Sequence, residues 1–269
     1  MTKKLILKKA IASLMRQLRL SFGSAEDSNG ARILNYHSIP DDFDDTDLYQ
    51  MSTPKDILSI QMQYLYENKY KIVSCEKLVE TILSGQPIES KTVAITFDDG
   101  FKNNLTNALP ILEKYKFKAT IFLATDLVGR NTKQLSWDDI SYLSKTSVFS
   151  FGAHSITHKK LFGLDKGELE KEIVIPKTIL EQFLKKPINL FAYPFGCYGS
   201  FDKNSVDMLK SKGYKAAFTT IIGYNTINMD LYALKRTRIS WFDVKKEFIK
   251  EMAGAYDWYA VWQWLSKTP

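Results

Sequence analysis

Two aspartates and two histidines in this sequence could hold a divalent metal and activate a water molecule beside it. Asp98 and Asp99 close an apolar run (TVAITFDDG, residues 92–100), and His154 and His158 follow later in the segment HSITH. Two imidazoles and one carboxylate make an open three-ligand site with room for water. Because neighbouring aspartates do not easily point into one coordination sphere, we expect one to be a ligand and the other a base. An activated water beside a free carboxylate is typical of a hydrolase.

Strands and helices alternate along the chain that must position these residues. Apolar runs rich in β-branched residues predict strands over 31–37, 70–73, 92–97, 119–124, 148–152, 189–192 and 215–220. Helical patterns occupy 54–68, 76–83, 103–115, 137–143, 166–186, 205–212 and 244–265. Pro176 is expected to break or kink its helix. Repeated units of this kind predict an α/β fold with a parallel sheet, and about seven strands favour a single distorted (β/α) barrel over an open sheet.

The candidate residues fall where a parallel sheet would gather them, at the carboxyl ends of strands. Asp98 with Asp99, then His154, and then the segment YPFG (193–196) each follow a predicted strand. An isolated DDG is usually a turn, and an isolated HxxxH is often two structural histidines. Three such segments on one rim favour a metal site. On a helical turn, His154 and His158 would face the same way.

The first 22 residues differ from the rest of the chain in charge. The lysines and arginines there precede the first acid, Glu26, and Leu7, Ile11, Leu14 and Leu18 would share one face of a helix. A basic amphipathic helix could lie on an anionic membrane surface, and packing on its own domain is the alternative. Charges interrupt the apolar part too often for a signal peptide or a spanning helix. We therefore expect a cytoplasmic protein, peripheral on the inner face of the membrane if this helix binds lipid.

Length and composition suit one globular domain after that segment. The chain has 269 residues, 45% of them hydrophobic and 25% charged, with a formal net charge of +7. A polar linker ends the basic segment, which predicts an N-terminal unit 1–30 and a catalytic domain 31–269. No basic stripe interleaved with aromatic residues occurs, which argues against a nucleic-acid partner. Cys75 and Cys197 are expected to be reduced and structural.

At its candidate site the sequence resembles the polysaccharide deacetylases, the carbohydrate esterase group built on a NodB-homology domain. TFDDG (96–100) matches the first motif of that family in full, and HSITH (154–158) matches the second motif, H-[ST]-x-x-H, in full. Residues 190–196 resemble the third motif. The resemblance covers about residues 33–241.

The resemblance implies a distorted barrel with one divalent metal and a role for each motif residue. The metal would be Zn²⁺, with Co²⁺, Ni²⁺ or Fe²⁺ as alternatives for such a donor set. By motif position Asp98 would be the general base, and Asp99, His154 and His158 would be the metal ligands. The metal and a backbone N–H after Pro194 would hold the oxyanion formed at the N-acetyl carbonyl.

Residues near the third motif would complete the substrate site. Tyr193, Pro194 and Phe195 are expected to form the oxyanion and substrate segment, with the N–H of Phe195 as the donor. Trp241 would add an apolar wall around the acetyl methyl or a sugar-stacking surface, and a core tryptophan is the alternative.

The sequence departs from the family pattern in two places. Ala192 stands where the third motif usually carries an arginine that pairs with the base, so Arg236 or Arg238 would have to supply the guanidinium. We assign Arg238 to the catalytic set, and the alternative is that both arginines are surface charges. No histidine follows His158 to act as the usual general acid.

His37 is the remaining candidate for the general acid. It ends the first predicted strand, in NYHS, and the first and last strands of a closed barrel are neighbours. Exopolysaccharide deacetylases of the poly-N-acetylglucosamine type carry a similar early segment. A lone histidine is usually structural, but its position at a strand end favours the catalytic role.

These observations predict a metal-dependent hydrolase. Its reaction would remove the N-acetyl group from N-acetylhexosamine units of a bacterial exopolysaccharide, capsule or cell-wall glycan, or of a lipid-linked precursor. The alternatives are a deacetylase or amidase of a small aminosugar conjugate and a catalytically silent glycan-binding domain.

Overall fold

The centre of the fold is an eight-stranded sheet in which neighbouring strands run parallel. The computed structural model describes residues 30–43, 51–240 and 242–266. The strands are β1 (Ala31–Tyr36), β2 (Lys71–Val73), β3 (Thr92–Asp98), β4 (Ala119–Leu123), β5 (Phe149–Ala153), β6 (Leu190–Ala192), β7 (Ala216–Phe218) and β8 (Thr237–Arg238).

The sheet curls into a distorted barrel. Its strand order is β7-β6-β5-β4-β3-β1-β8, and β2 pairs with the first residues of β3. The two edges approach each other just before β8, where Leu234 forms a parallel bridge with Phe218. Farther along, the Arg236 N–H donates to the carbonyl of Ile221 at 3.0 Å. The prediction of a single distorted (β/α) barrel is confirmed.

Helices cover the outside of this sheet. They are α1 (Lys55–Glu67), α2 (Cys75–Leu83), α3 (Leu109–Tyr115), α4 (Trp137–Ser144), α5 (Lys166–Leu184), α6 (Lys203–Ser211), α7 (Lys245–Met252) and α8 (Tyr259–Ser266). Serine or aspartate caps begin α2, α4, α5 and α6, because each side chain accepts the N–H of the residue three positions on. Within 30–43, 51–240 and 242–266, no helix combines the length and the apolar character needed to cross a membrane.

The barrel interior is apolar in its lower part and polar at the carboxyl ends of its strands. Ile33 belongs to a buried apolar cluster that also contains Phe122, Leu190, Phe218 and Leu234. Alternation along β1 puts Asn35 and His37 on the same inner face as Ile33, one step nearer the rim each time. The polar residues are therefore held above a packed apolar floor.

The predicted elements agree with the structure to within about two residues, with four differences. The short strand β8 was not predicted. The helical pattern 244–265 is two helices, α7 and α8, separated by a turn that contains Gly254 at φ 71°. The helix over 103–115 starts as a π-helical turn, Asn104–Ala108, before α3. The break at Pro176 is wrong, since α5 continues through that residue. The N-terminal helix over 1–22 lies outside the described residues.

Arg32 connects the barrel to the turn between α7 and α8. Its buried guanidinium donates to Thr237 Oγ1 at 2.7 Å and to both carboxylate oxygens of Asp257 at 3.1 and 3.2 Å. The same group lies 4.2 Å from the ring centroid of Tyr224. A buried charge needs such partners to offset its desolvation, so this contact holds the C-terminal helices on β1 and β8.

Replacing Arg32 with methionine should destabilise the protein by about 3 kcal/mol, because breaking a buried ion pair at one partner costs that much. Urea unfolding of Arg32→Met measures the change. Lys212→Met is the matched control, since Lys212 pairs with Glu170 on the surface at 2.9 Å, and it should cost less than about 1 kcal/mol. Equal losses in the two variants would contradict the anchoring role of Arg32.

Candidate metal centre and active site

The turn after β3 sends two neighbouring carboxylates in different directions. Asp98 is the last residue of β3, and Asp99 and Gly100 follow in the left-handed region at φ 69° and 67°. A Cβ on Gly100 would lie 2.6 Å from Leu123 Cδ2, so this position requires glycine. The strained turn lets Asp98 and Asp99 contact different partners, as a division between base and ligand requires.

Asp99 faces the two histidines. Its Oδ1 lies 3.5 Å from His154 Nε2 and 3.3 Å from His158 Nε2. These three ligand atoms all lie within 4.8 Å of one another. Asp99 Oδ1 is buried and has no hydrogen-bond partner among the described residues, an arrangement that a cation between the three side chains would satisfy. The donor set and the orphaned oxygen thus fit a divalent metal.

His154 is fixed from both ends. Its N–H donates to Leu123 O at 2.9 Å, and its Nδ1 lies 2.7 Å from Ala192 O. The bond at Nδ1 sets the tautomer and leaves Nε2 free as a ligand. Burial lowers the pKa of His154 to about 4, against the attraction of Asp98. The ring is therefore neutral near pH 7, as a metal ligand must be.

The segment between the histidines is a loop rather than the expected helical turn. Ser155 and His158 both have left-handed backbones, at φ 65° and 61°. Ser155 Oγ accepts the His158 N–H at 2.9 Å. The two rings still converge, with centroids 4.9 Å apart, but the loop conformation brings them together and not the helical spacing.

Asp98 forms a buried ion pair with Arg236. The guanidinium donates to Oδ1 and Oδ2 of Asp98 at 2.7 Å each, and Asn35 Nδ2 donates to Oδ2 at 3.2 Å. Burial alone would raise the pKa of Asp98, but the charge and hydrogen bonds of Arg236, together with the charges of His154 and His37, outweigh it and hold the pKa well below the ordinary value. Asp98 therefore stays ionised.

Arg236, and not Arg238, supplies the guanidinium next to Asp98. Arg236 is fully buried, and its Nε donates to Thr219 O at 2.8 Å, whereas Arg238 is exposed at the edge of the cavity. The two arginines share one face of the chain, so alternation alone does not distinguish them. Their depth in the barrel distinguishes them, because only Arg236 lies at the level of Asp98. The assignment of Arg238 to this pairing is corrected accordingly.

His37 lies on the other side of Asp98. Its Nε2 is 4.0 Å from Asp98 Oδ2, the same distance as His154 Nε2. Burial lowers the pKa of His37 below its ordinary value, against the attraction of Asp98 and Asp99. Its Nδ1 has no hydrogen-bond partner among the described residues.

The segment after β6 has one exposed and one buried aromatic residue. Tyr193 is buried, donates its hydroxyl to Tyr232 O at 3.0 Å and stacks on Phe201, so its side chain anchors the segment and does not line the cavity. Phe195 is 43% exposed with φ 62°, and its ring centroid lies 5.2 Å from that of His158.

The backbone of this segment leaves a donor available at the site. Pro194 O accepts the Gly196 N–H at 2.7 Å, and Phe195 O accepts Thr220 Oγ1 at 2.7 Å. Among the residues that the structure describes, the Phe195 N–H has no acceptor. Trp241 lies outside the described residues.

One cavity of about 980 Å³ collects these groups. Its lining includes His37, Asp98, Asp99, His154 and His158, together with Phe195 and Arg238 at its edge. Asn35 and Arg236 support it from below. Asn35 is not among the site residues predicted from the sequence, although its alternation with His37 on β1 indicates that both enter the barrel. The arrangement can orient a water between a base and a metal and can give a proton back to a leaving group.

Comparison with known proteins finds similarity to polysaccharide deacetylases. The family model described as polysaccharide deacetylase matches residues 85–217. The poly-beta-1,6-N-acetyl-D-glucosamine N-deacetylase of Staphylococcus aureus (strain MRSA252) is 28% identical over 251 residues, which cover 85% of this chain and 85% of that protein.

Solved structures agree in fold. The polysaccharide deacetylase BC0361 from Bacillus cereus is 28% identical, with a TM-score of 0.71 over 83% of this chain and 69% of that one. The Streptococcus pyogenes deacetylase PplD in complex with acetate has a TM-score of 0.75 at 23% identity, covering 83% of this chain and 98% of that one. The latter similarity concerns the fold.

Arg236→Met should lower the free energy of unfolding by about 3–5 kcal/mol, because it leaves the buried charge of Asp98 without its main partner. Arg238→Met is the matched control, and as a change of an exposed arginine it should alter stability by less than about 0.5 kcal/mol. Chemical denaturation of the metal-free proteins measures both. A larger loss for Arg238→Met would contradict the assignment.

Proposed function

We propose that the chain is a member of the polysaccharide deacetylase family and that it hydrolyses the N-acetyl group of N-acetylhexosamine units in a glycan. The glycan is a bacterial exopolysaccharide, capsule or cell-wall polymer, or a lipid-linked precursor of one. The reaction adds one water to the amide, so that the C–N bond breaks and an amine and acetic acid result, which at neutral pH are an ammonium group and acetate. The observation that carries the proposal is the meeting of the Asp98–Arg236 pair with Asp99, His154 and His158 at one cavity.

Asp99, His154 and His158 are the proposed ligands of one divalent metal. We propose Zn²⁺, and Co²⁺, Ni²⁺ or Fe²⁺ suit the same two imidazoles and one carboxylate. When bound, such an ion polarises a water and the amide carbonyl. The neutral state of His154 and the orphaned Oδ1 of Asp99 support this assignment.

Asp98 is the proposed general base. Arg236 keeps its carboxylate ionised and, with Asn35, fixes its orientation, so that Oδ2 can accept a proton from the attacking water. Arg236 does this as a positioning residue, because Thr96, Thr219 and Asp98 occupy its donors below the cavity.

His37 is the proposed general acid. Because its pKa is lowered, His37 enters the reaction as a neutral ring and cannot bring a proton of its own near pH 7. The proton that Asp98 takes from water can pass to His37 Nε2, 4.0 Å away, and from there to the leaving nitrogen. The proton that leaves the water is therefore the same proton that reaches the leaving nitrogen, and no other proton source is needed.

The backbone N–H of Phe195 is the proposed oxyanion donor. This N–H has no acceptor among the described residues, and the partly exposed ring of the same residue contacts His158. A donor held by the left-handed turn at Phe195 and Gly196 would stabilise charge that develops on the amide oxygen.

The S. aureus relative supports a polymeric substrate, since its name specifies poly-beta-1,6-N-acetyl-D-glucosamine and the match covers 85% of both chains. A cavity of about 980 Å³ has room for a sugar with its neighbours. We therefore propose N-acetylglucosamine oligomers and polymer as the first substrates to test.

Asp98→Asn and His37→Ala should each lower acetate release from N-acetylglucosamine oligomers by about 10²–10⁴-fold, because each removes one partner in proton transfer. Acetate is measured for the metal-reconstituted proteins, and bound metal is measured in parallel. Asp138→Asn, an exposed carboxylate of α4, is the matched control and should keep full activity.

Other outcomes separate the alternatives. Full activity in His37→Ala would place the acid elsewhere. Acetate release from a small aminosugar conjugate but not from polymer would identify a small-molecule deacetylase. Metal binding with no turnover of any acetylated substrate would favour a silent glycan-binding domain.

We also propose that residues 1–22 hold the protein on the cytoplasmic face of a membrane. This segment has six basic residues and no acidic residue, and its basic charge, with the apolar face that a helix there would have, supports binding to anionic vesicles. Deletion of 1–22 should abolish co-sedimentation of the protein with anionic vesicles. Neither the full chain nor the deletion variant should co-sediment with neutral vesicles. An unchanged bound fraction would disprove the anchor.

A further inference from the structure

Glu172 of α5 places a buried carboxylate behind the loop that joins the two histidine ligands. It is 2% exposed, and it does not line the cavity. Its Oε2 accepts the backbone N–H groups of Ile156 and Thr157 at 3.1 and 3.0 Å, and its Oε1 accepts Thr157 Oγ1 at 2.7 Å. Lys159 Nζ lies 3.6 Å from the same Oε1.

These contacts account for the burial of the charge. A carboxylate removed from water is costly unless hydrogen-bond donors replace its hydration, and here three donors and one cation do so. Hydrogen bonds to an ionised acceptor are roughly twice as strong as neutral ones. All three donors come from the two loop residues just before His158. Glu172 therefore fixes the path of that loop, together with the N–H groups of Thr125 and Asp126, which donate to Ser155 O and Ile156 O at 3.3 and 3.0 Å.

The two histidines depend on this contact to different degrees. His154 is held by Leu123 O and Ala192 O, both outside the loop. His158 has a left-handed backbone, and its N–H donates only to Ser155 Oγ within the loop itself. The conformation of 155–157 therefore sets where the His158 ring lies.

We propose that Glu172 is a positioning residue that holds His158 in place for metal binding, through the backbone of Ile156 and Thr157. The inference rests on the proposed metal site. Glu172 touches neither the ligand atoms nor the cavity, so its effect is on metal affinity and coordination rather than on proton transfer.

Glu172→Gln tests this role with little change of volume. The amide keeps one acceptor oxygen, but its NH₂ group would face a donor from which the carboxylate accepted a hydrogen bond. Zn²⁺ affinity, measured by competition with a chromophoric chelator in the absence of substrate, should fall by about tenfold or more. Glu170→Gln, a surface change on the same helix, should bind Zn²⁺ as the unaltered chain does. The visible spectrum of bound Co²⁺ should change in Glu172→Gln and not in Glu170→Gln.

A double-mutant cycle separates positioning from general stability. If Glu172 acts through His158, the effect of Glu172→Gln on Zn²⁺ affinity should disappear in a His158→Ala background. The same fold-loss in both backgrounds, or unaltered affinity in Glu172→Gln, would overturn the proposal.

Two further measurements keep the test decisive. Circular dichroism of the metal-free variants shows whether Glu172→Gln folds, and if it does not, Thr157→Val replaces it and should weaken Zn²⁺ binding severalfold. Absence of Zn²⁺ binding by the unaltered chain would disprove the metal site itself and the positioning role with it, an outcome distinct from a variant that binds as the unaltered chain does.

Discussion

The buried ion pair between Asp98 and Arg236 is the interaction on which the rest of the site depends. It places two full charges at the mouth of a barrel whose floor is apolar, and Thr219 O, Thr96 Oγ1 and Asn35 Nδ2 satisfy the remaining donors and acceptors. Arg236 offsets the negative charge of Asp98. The negative charge of Asp99, which faces His154 and His158, has no such cationic partner in the described part of the chain. The pair thus separates a base from a cation site within two adjacent residues.

The origin of the guanidinium explains how the site tolerates alanine at position 192. Ala192 accepts His154 Nδ1 with its backbone carbonyl, and a long side chain there is not needed once β8 brings Arg236 to the same depth. The pairing of β8 with β1, at Asn35 and Arg238, fixes that depth. Keeping Asp98 ionised therefore requires that β8 closes the barrel, so the last strand is part of the site.

Periodicity and strand-end position were sufficient to predict most of the fold and the meeting of Asp98, Asp99 and His154 at one rim of the barrel. Asp98, Asp99 and His154 follow buried strands whose composition predicts them, and strand ends of a parallel sheet meet. The same information could not separate Arg236 from Arg238. Arg236 comes just before the two-residue strand β8 and Arg238 ends it, and alternation gives both arginines the same face. It also placed His154 and His158 on a helical turn, whereas positive φ values at Ser155 and His158 arise from local hydrogen bonds that no periodicity indicates.

The burial and the proposed role of Glu172 could not be predicted from the sequence. In the sequence it is one acid among the charged residues of a long amphipathic helix, where a surface position is the ordinary expectation. Its burial follows from the way α5 packs beside β5, which brings the carboxylate under the loop rather than into solvent. Of the two proposed histidine ligands, His154 is fixed by the sheet, and His158 depends on a helix. A metal site of this kind would join two structural elements, so its geometry would depend on their packing as well as on its own ligands.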